Sequence, residues 1–117
     1  MQELVERYIA SWNETAADKR RTMIDELYTE DASYVDPMVE AHGREAIDET
    51  IATVQRQFPE LVFGLLGSVD AHHDRVRFSW GLGPRGGEPL VIGFDVAVSD
   101  GGSRLSQVHG FLDKVPG

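Results

Sequence analysis

The spacing of apolar residues changes once along this chain, near residue 60, and that change limits the folds open to it. Before residue 60, apolar side chains such as Leu4, Tyr8 and Trp12 recur every three or four positions, which is typical of amphipathic helices. After residue 60 they follow the alternating pattern of strands. Helices followed by consecutive strands, rather than alternating with them, indicate an α+β fold with an antiparallel sheet.

The pattern predicts three helices, at about residues 2–12, 17–28 and 44–58, the last stopped by a proline. A short extended segment, Ala32–Val35, precedes the Asp36-Pro37 pair. Four long strands are expected at residues 61–70, 75–82, 89–99 and 104–115, separated by glycine-rich or polar turns. With 117 residues and no linker or repeat, we expect a single domain over residues 1–117.

The composition limits the classes of partner that the protein is expected to bind. A net charge of −9 argues against nucleic acid and anionic lipid as partners. No apolar stretch approaches the roughly 20 residues that span a bilayer, and the acidic N-terminus does not resemble a secretory signal, so a cytoplasmic protein without a membrane partner is expected. The chain has no cysteine, and the adjacent His72 and His73 lack a third ligand, so we expect neither a metal nor another cofactor.

The last hairpin yields a testable register. Gly101-Gly102 suits a two-residue turn, which would place Asp95 opposite Val108 and put Asp95 and His109 on opposite faces of the sheet. The face opposite Asp95 is wholly apolar, and both faces of this strand therefore need cover. We expect the helices to cover one face and a second subunit to cover the other, which predicts a homodimer.

Asp95 is the most informative residue of the second half. An acid within the apolar run of residues 91–98 opposes strand propensity and is costly to bury without a partner. It is therefore paired, protonated or functional, unless it is hydrogen-bonded to a helix end or faces water at the rim of the sheet. Its apolar flanks predict a pKa raised by desolvation, more than that of Asp36, which lies beside a turn.

Several short motifs occur in a characteristic order: Arg7-Tyr8-Ile9, Tyr34-Val-Asp36-Pro37, His42-Gly43-Arg44-Glu45, and then Asp95 in the third long strand. In this order the chain resembles the nuclear transport factor 2-like superfamily, and within it the ketosteroid isomerases and the SnoaL-like polyketide cyclases. Alone, Asp-Pro is an ordinary turn and Tyr8 an ordinary core tyrosine. The resemblance covers about residues 2–115 and implies a cone-shaped, curved antiparallel sheet wrapped around three helices, with an apolar cavity open at one end.

The resemblance also implies roles for individual residues. Asp36 matches the general base of the isomerases, Tyr8 the tyrosine that donates to the developing oxyanion, and Asp95 a protonated acid that donates beside it. Tyr28 matches a tyrosine of the same hydrogen-bond network. The rest of the cavity wall is expected to come from apolar and aromatic residues, namely Trp12, Phe63, Phe78, Trp80, Val108 and Leu112.

The function expected on these grounds is acid–base chemistry without a cofactor, either isomerisation or aldol-type cyclisation, on a small hydrophobic carbonyl compound. His109 becomes a further acid–base candidate if the hairpin register differs by one residue. The open alternative is a non-catalytic module of the same fold that binds a small ligand or dimerises, in which Tyr8, Asp36 and Asp95 are only structural.

Overall fold

The computed structural model describes residues 1–116. Its helices and strands follow one another in the order α1 (Gln2–Asn13), α2 (Ala17–Leu27), β1 (Tyr28–Asp36), β2 (Val39–His42), α3 (Arg44–Gln57), β3 (Leu61–His72), β4 (Arg75–Pro84), β5 (Val91–Ser99) and β6 (Leu105–Lys114). The three helices and four long strands expected from the pattern are therefore present, with ends that differ by a few residues.

The six strands form one curved, open sheet in the order β2-β1-β6-β5-β4-β3. Strands β3 to β6 pair antiparallel with their sequence neighbours, as expected. The sheet is not wholly antiparallel, however, because β1 runs parallel to β6. The expected short segment at residues 32–35 is in fact a nine-residue strand, and β2, which was not expected, pairs with it as the edge strand.

The predicted register of the last hairpin is wrong by two residues. Asp95 pairs with Gly110, not with Val108. A shift of two moves no side chain to the other face, since the side chains of a strand alternate with a period of two. Asp95 and His109 therefore lie on opposite faces, as expected.

The shift has two causes, a longer loop and a bulge. Five residues separate Ser99 from its partner Leu105, one more than a two-residue turn at Gly101-Gly102 would leave, and the bulge at Val98/Ser99 adds the second residue of the shift. The backbone N–H of Asp100 donates to the carbonyl of Arg104 at 2.9 Å, which closes the wider loop. The Asp100 carboxylate accepts two backbone N–H groups within this loop, an interaction that the pair of glycines does not predict.

The helices cover one face of the sheet. Apolar residues of α1, α2 and α3, including Val5, Ile24 and Ile51, are buried together with alternate residues of β4, β5 and β6. On β5 the buried residues 91, 93, 95, 97 and 99 alternate with half-buried ones. The half-buried set is the apolar outer face: Ile92, Phe94, Val96 and Val98.

A buried arginine fixes the helices relative to one another. Arg20 of α2 contacts Asp48 of α3 at 2.6 Å through its Nε and donates to Gln55 of α3 and to the backbone carbonyl of Glu14. Gln55 in turn donates to the carbonyls of Trp12 and Glu14 at the end of α1. Because removal of either partner would leave a buried charge without compensation, this cluster holds all three helices in one arrangement.

Candidate functional site

A cavity of about 620 Å³ lies within the fold, lined by residues of α1, α3 and all six strands. Aromatic side chains form much of its wall, and Trp12 is their centre. Its ring centroid lies 5.2 Å from that of Phe63, 5.5 Å from Tyr34 and 6.3 Å from Tyr8, while Trp80 lies 5.4 Å from Phe63. Such a space suits a predominantly apolar ligand.

Tyr8 and Asp95 form a buried pair at this cavity. The Tyr8 hydroxyl donates to Oδ2 of Asp95 at 2.7 Å, and only 2% of Tyr8 and 1% of Asp95 are exposed. The other oxygen, Oδ1, has no hydrogen-bond partner within residues 1–116. Tyr8 itself lines the cavity, whereas Asp95 lies behind it and is not a wall residue. Asp95 is therefore connected to the cavity by its hydrogen bond with Tyr8.

The ionisation of both groups is perturbed. Burial raises the pKa of Asp95 from its ordinary 3.8 to about 6; the hydrogen bond from Tyr8 and the nearby Trp80 side chain oppose this shift, and the charge of Asp36 adds to it. Burial, followed by the nearby charge of Asp95, raises the pKa of Tyr8 well above its usual range. The expected raised pKa of Asp95 is confirmed, and desolvation is its main cause.

Asp36 is held at the cavity by three donors. Tyr34 donates its hydroxyl to Oδ2 at 2.6 Å, while the backbone N–H groups of Met38 and Val39 donate to Oδ1 at 2.8 and 3.0 Å. The two backbone bonds form the turn that leads from β1 into β2, with Pro37 inside it. Asp36 thus starts a turn and also presents an oriented carboxylate to the cavity.

A glycine lies between the two carboxylates. Gly110 pairs with Asp95 on β5, and a Cβ atom on Gly110 would lie 2.9 Å from Asp95 Oδ1 and 3.2 Å from Asp36 Cβ. The three residues therefore form a row across β5, β6 and β1. Strands two places apart in a sheet are roughly 10 Å apart, which sets the spacing of the two backbones that carry the acids. A side chain at the middle position would separate the acids, so this row depends on glycine.

A second glycine seats an aromatic wall residue. Gly93 of β5 pairs with Trp80 of β4, and a Cβ atom at Gly93 would overlap the indole ring. The absence of a side chain lets Trp80 lie flat across β5, where it lines the cavity. At the other end of the wall, the Asn13 side chain donates to and accepts from the backbone of Phe63, at 2.9 and 2.8 Å, which ties the end of α1 to β3.

The remaining predicted site residues divide into two groups. Trp12, Phe63, Trp80 and Leu112 line the cavity as expected. Three expected wall or network residues, Tyr28, Phe78 and Val108, are fully buried in the core and do not line it.

The side chains of Tyr28 and His109, two further candidates from the sequence, are also not part of the cavity wall. The Tyr28 hydroxyl has no hydrogen-bond partner among the described residues, so the structure does not include it in the network. His109 is exposed on the outer face, where its Nε2 lies 2.9 Å from Gln107 Oε1. It therefore has no access to the cavity.

Sequence reasoning missed two parts of the site. Tyr34 is one, although its spacing of two from Asp36 on a strand places both on the same face, which was a usable signal. The other is a stripe of α3 that faces the cavity and that the sequence does not single out as part of a site: Ala46, Glu49, Thr50, Thr53, Val54 and Gln57. Helical spacing alone does not show what a polar stripe faces.

The described residues contain neither a metal-binding cluster nor a membrane-spanning helix. Within residues 1–116 no three histidine, aspartate or glutamate side chains are grouped so as to hold a metal ion. None of the described helices is long and apolar enough to cross a membrane.

Comparison with known proteins places the chain among its relatives. The SnoaL-like domain model matches residues 5–102. A candidate isomerase of the SnoaL-like family from Agrobacterium tumefaciens strain C58 is 33% identical, with 96% of each chain covered and a TM-score of 0.90. The curated proteins contain no significant match.

More distant structures share the fold. A candidate polyketide cyclase from Sinorhizobium meliloti is 18% identical over 92% of this chain and 93% of its own, with a TM-score of 0.70. A SnoaL-like protein of unknown function from Burkholderia thailandensis is 18% identical over 95% and 92%, with a TM-score of 0.73. At this level of identity the likeness concerns architecture alone.

Proposed function

The chain belongs to the SnoaL-like family, and from this premise we propose that it is a cofactor-free acid–base enzyme that forms an enolate from a hydrophobic carbonyl compound. The observation that carries the proposal is the convergence on one aromatic cavity of an oriented carboxylate, Asp36, and a tyrosine, Tyr8, that shares a proton with a buried acid. A base and a proton donor facing one apolar space are the parts that removal of a proton next to a carbonyl requires.

Asp36 is the base of the proposed reaction. Its Oδ1 is occupied by two backbone donors, whereas Oδ2 receives only the Tyr34 hydroxyl and keeps a lone pair for a substrate proton. Oδ2 takes a proton from the carbon next to the carbonyl; the electron pair of that C–H bond forms a double bond to the carbonyl carbon, and the π pair of the carbonyl moves to its oxygen. Tyr34 holds the carboxylate in the orientation that this transfer needs.

Tyr8 is the proposed donor to the resulting oxyanion. While Asp95 is ionised, the Tyr8 proton is directed to it; once Asp95 is protonated, Asp95 donates to Tyr8, and Tyr8 can donate into the cavity. With a pKa of about 6, protonating Asp95 at pH 7 costs only about 1.4 kcal/mol. A negative charge developing on the ligand oxygen offsets this cost, so Asp95 positions the proton of Tyr8.

The enolate then has two outcomes. Return of the proton from Asp36 to a different carbon shifts a double bond, which is an isomerisation. Attack of the enolate carbon on a second carbonyl closes a ring, which is an aldol cyclisation. The Agrobacterium relative is described as an isomerase and the Sinorhizobium structure as a polyketide cyclase, so the family context agrees with either outcome.

Two substitutions test the proposal. In D₂O, the wild-type protein should exchange the acetyl protons of 2-acetonaphthone, followed by NMR, and Asp36→Asn should lose this exchange by on the order of 10²-fold or more. Asparagine keeps the turn to Met38 and Val39, so binding of the enolate mimic 2-naphthol should be unchanged or tighter. Tyr8→Phe should instead weaken both exchange and mimic binding, by up to the roughly 3 kcal/mol of an oxyanion hydrogen bond.

A non-catalytic ligand-binding module is the second candidate, and one observation favours it: every donor to Asp36 comes from the protein, so its carboxylate is accounted for as part of a turn. This alternative expects no exchange by the wild-type protein and little effect of Asp36→Asn on 2-naphthol affinity. Equal weakening of mimic binding by Asp36→Asn and Tyr8→Phe would also contradict the enzyme proposal.

A further inference from the structure

The polar groups of the cavity define the charge of its ligand. We propose that the cavity selects carbonyl compounds without negative charge, neutral or cationic, and excludes carboxylates and phosphate-bearing thioesters. The inference rests on the proposed function for the carbonyl group, but the selectivity itself concerns binding and stands on the cavity wall.

The charged residues of the wall all have one sign. Asp36, Glu40 and Glu49 line the cavity, and no lysine, arginine or histidine is among its described lining residues. Within residues 1–116, Glu49 takes part in no ion pair, and the cationic neighbour of Glu40 is His42 at 3.7 Å, which is charged only when protonated. An anion entering this space meets three carboxylates and no cation among the described wall residues; Glu40 and Glu49 are exposed, so water screens their share of the repulsion and Asp36 contributes most of it.

The hydroxyl groups of the wall do not offer donors to an anion either. Tyr34 donates to Asp36, and Tyr8 donates to Asp95 as long as Asp95 is ionised, as it is without an enolate in the cavity. Thr50 and Thr53 donate to the helix carbonyls four residues earlier, each at 2.9 Å, so neither hydroxyl has a proton left for a ligand. Arg56, which is not itself a wall residue, donates to the Thr53 hydroxyl at 3.2 Å. A carboxylate or phosphate would therefore lose its hydration and gain none of these protons in return.

The aromatic wall disfavours anions and tolerates cations. The faces of Trp12, Tyr34, Phe63 and Trp80 carry the negative part of the ring quadrupole, which attracts a cation and repels an anion. The acids, the hydroxyl groups that already donate to the protein, and the aromatic rings therefore all favour a ligand without negative charge.

A matched series of ketones tests the selectivity by calorimetry at about pH 8. The probes are 6-acetyl-2-naphthamide, 6-acetyl-2-naphthoate and protonated 6-acetyl-2-(aminomethyl)naphthalene. We expect the naphthoate to bind at least about tenfold more weakly than the amide, and the ammonium compound to bind at least as tightly as the amide.

The variants assign the effect to the wall. Glu40→Gln combined with Glu49→Gln should reduce the preference for amide over naphthoate by about threefold or more. Glu30→Gln is the control, because it removes the same kind of charge from an exposed position of β1 outside the cavity. Naphthoate affinity within about threefold of the amide, equal selectivity in the double variant and the control, or failure of all three probes to bind would overturn the inference.

The same amide separates this inference from the proposed function. If the three affinities follow the expected order but the acetyl protons of the amide do not exchange in D₂O, the enzyme proposal fails and the selectivity stands. If exchange occurs and the naphthoate binds as well as the amide, the enzyme proposal stands and the selectivity fails.

Discussion

Replacing Asp95 with asparagine should make the stability of the protein less dependent on pH, so that the variant gains relative to wild type as the pH rises. Asp95 is 1% exposed, and its pKa rises from 3.8 in its ordinary state to about 6 in the fold. Because the folded pKa is the higher one, the folded state favours the protonated carboxyl. The contribution of this carboxyl to the stability of the folded state is fully present below pH 3.8 and is lost as the pH rises through about 6.

The magnitude follows from the shift. At 1.36 kcal/mol per pKa unit, a rise from 3.8 to about 6 corresponds to about 3 kcal/mol of folding free energy lost by the wild type above pH 6. The asparagine side chain of the variant has no charge to desolvate, and its carbonyl can still accept the Tyr8 hydroxyl. Because a carboxyl with a pKa of 3.8 is already partly ionised at pH 4, the variant should gain about 2 kcal/mol of this relative to wild type on going from pH 4 to pH 8.

Urea unfolding at both pH values, with the protein concentration held constant, measures the difference. Asp113→Asn is the control, because it removes an exposed carboxylate and should leave the difference from wild type nearly independent of pH. A difference between Asp95→Asn and wild type that does not change with pH, or a variant that loses stability as the pH rises, would refute the assignment of Asp95 as a buried acid with a raised pKa.

Two further predictions concern packing. The half-buried Phe94 and the 57% exposed Phe111 pair across β5 and β6 on the outer face. We therefore expect sedimentation at micromolar concentration to show a homodimer, and Phe111→Asp to dissociate it. A wild-type species of 13.0 kDa would contradict this prediction. Gly93→Ala should displace the Trp80 indole, change the tryptophan fluorescence and lower the free energy of unfolding by about 1–3 kcal/mol. Gly64→Ala is the control, because a Cβ atom there meets nothing within 4 Å, and it should cause none of these changes.

Local patterns along the chain predicted the helices and long strands well, because each depends on spacing within a short window. The stop at Pro59, the change of period after it and the turns between strands are all local signals. The same patterns failed at β1 and β2, where polar residues dominate and pairing with β6, about 75 residues away, decides the structure.

The hairpin register shows the limit of reading turns from composition. Gly101-Gly102 is compatible with a tight turn, but the Asp100 carboxylate organises a wider loop through hydrogen bonds that no dipeptide signal specifies. The alternation of β5 still placed Asp95 on the inner face, because an even shift leaves the faces unchanged.

The sequence by itself determined the chemical identity of the site: an acid in an apolar strand, an Asp-Pro turn and a tyrosine on the first helix, in an order that identified the family. Only the tertiary structure decided that Asp95 lies behind Tyr8, that Tyr34 holds Asp36, and that one stripe of α3 forms part of the wall. The physical reason is that these relations join residues distant in sequence through strand pairing and helix docking. Their geometry depends on which backbones meet, as at Gly110 between the two acids, and not on any local propensity.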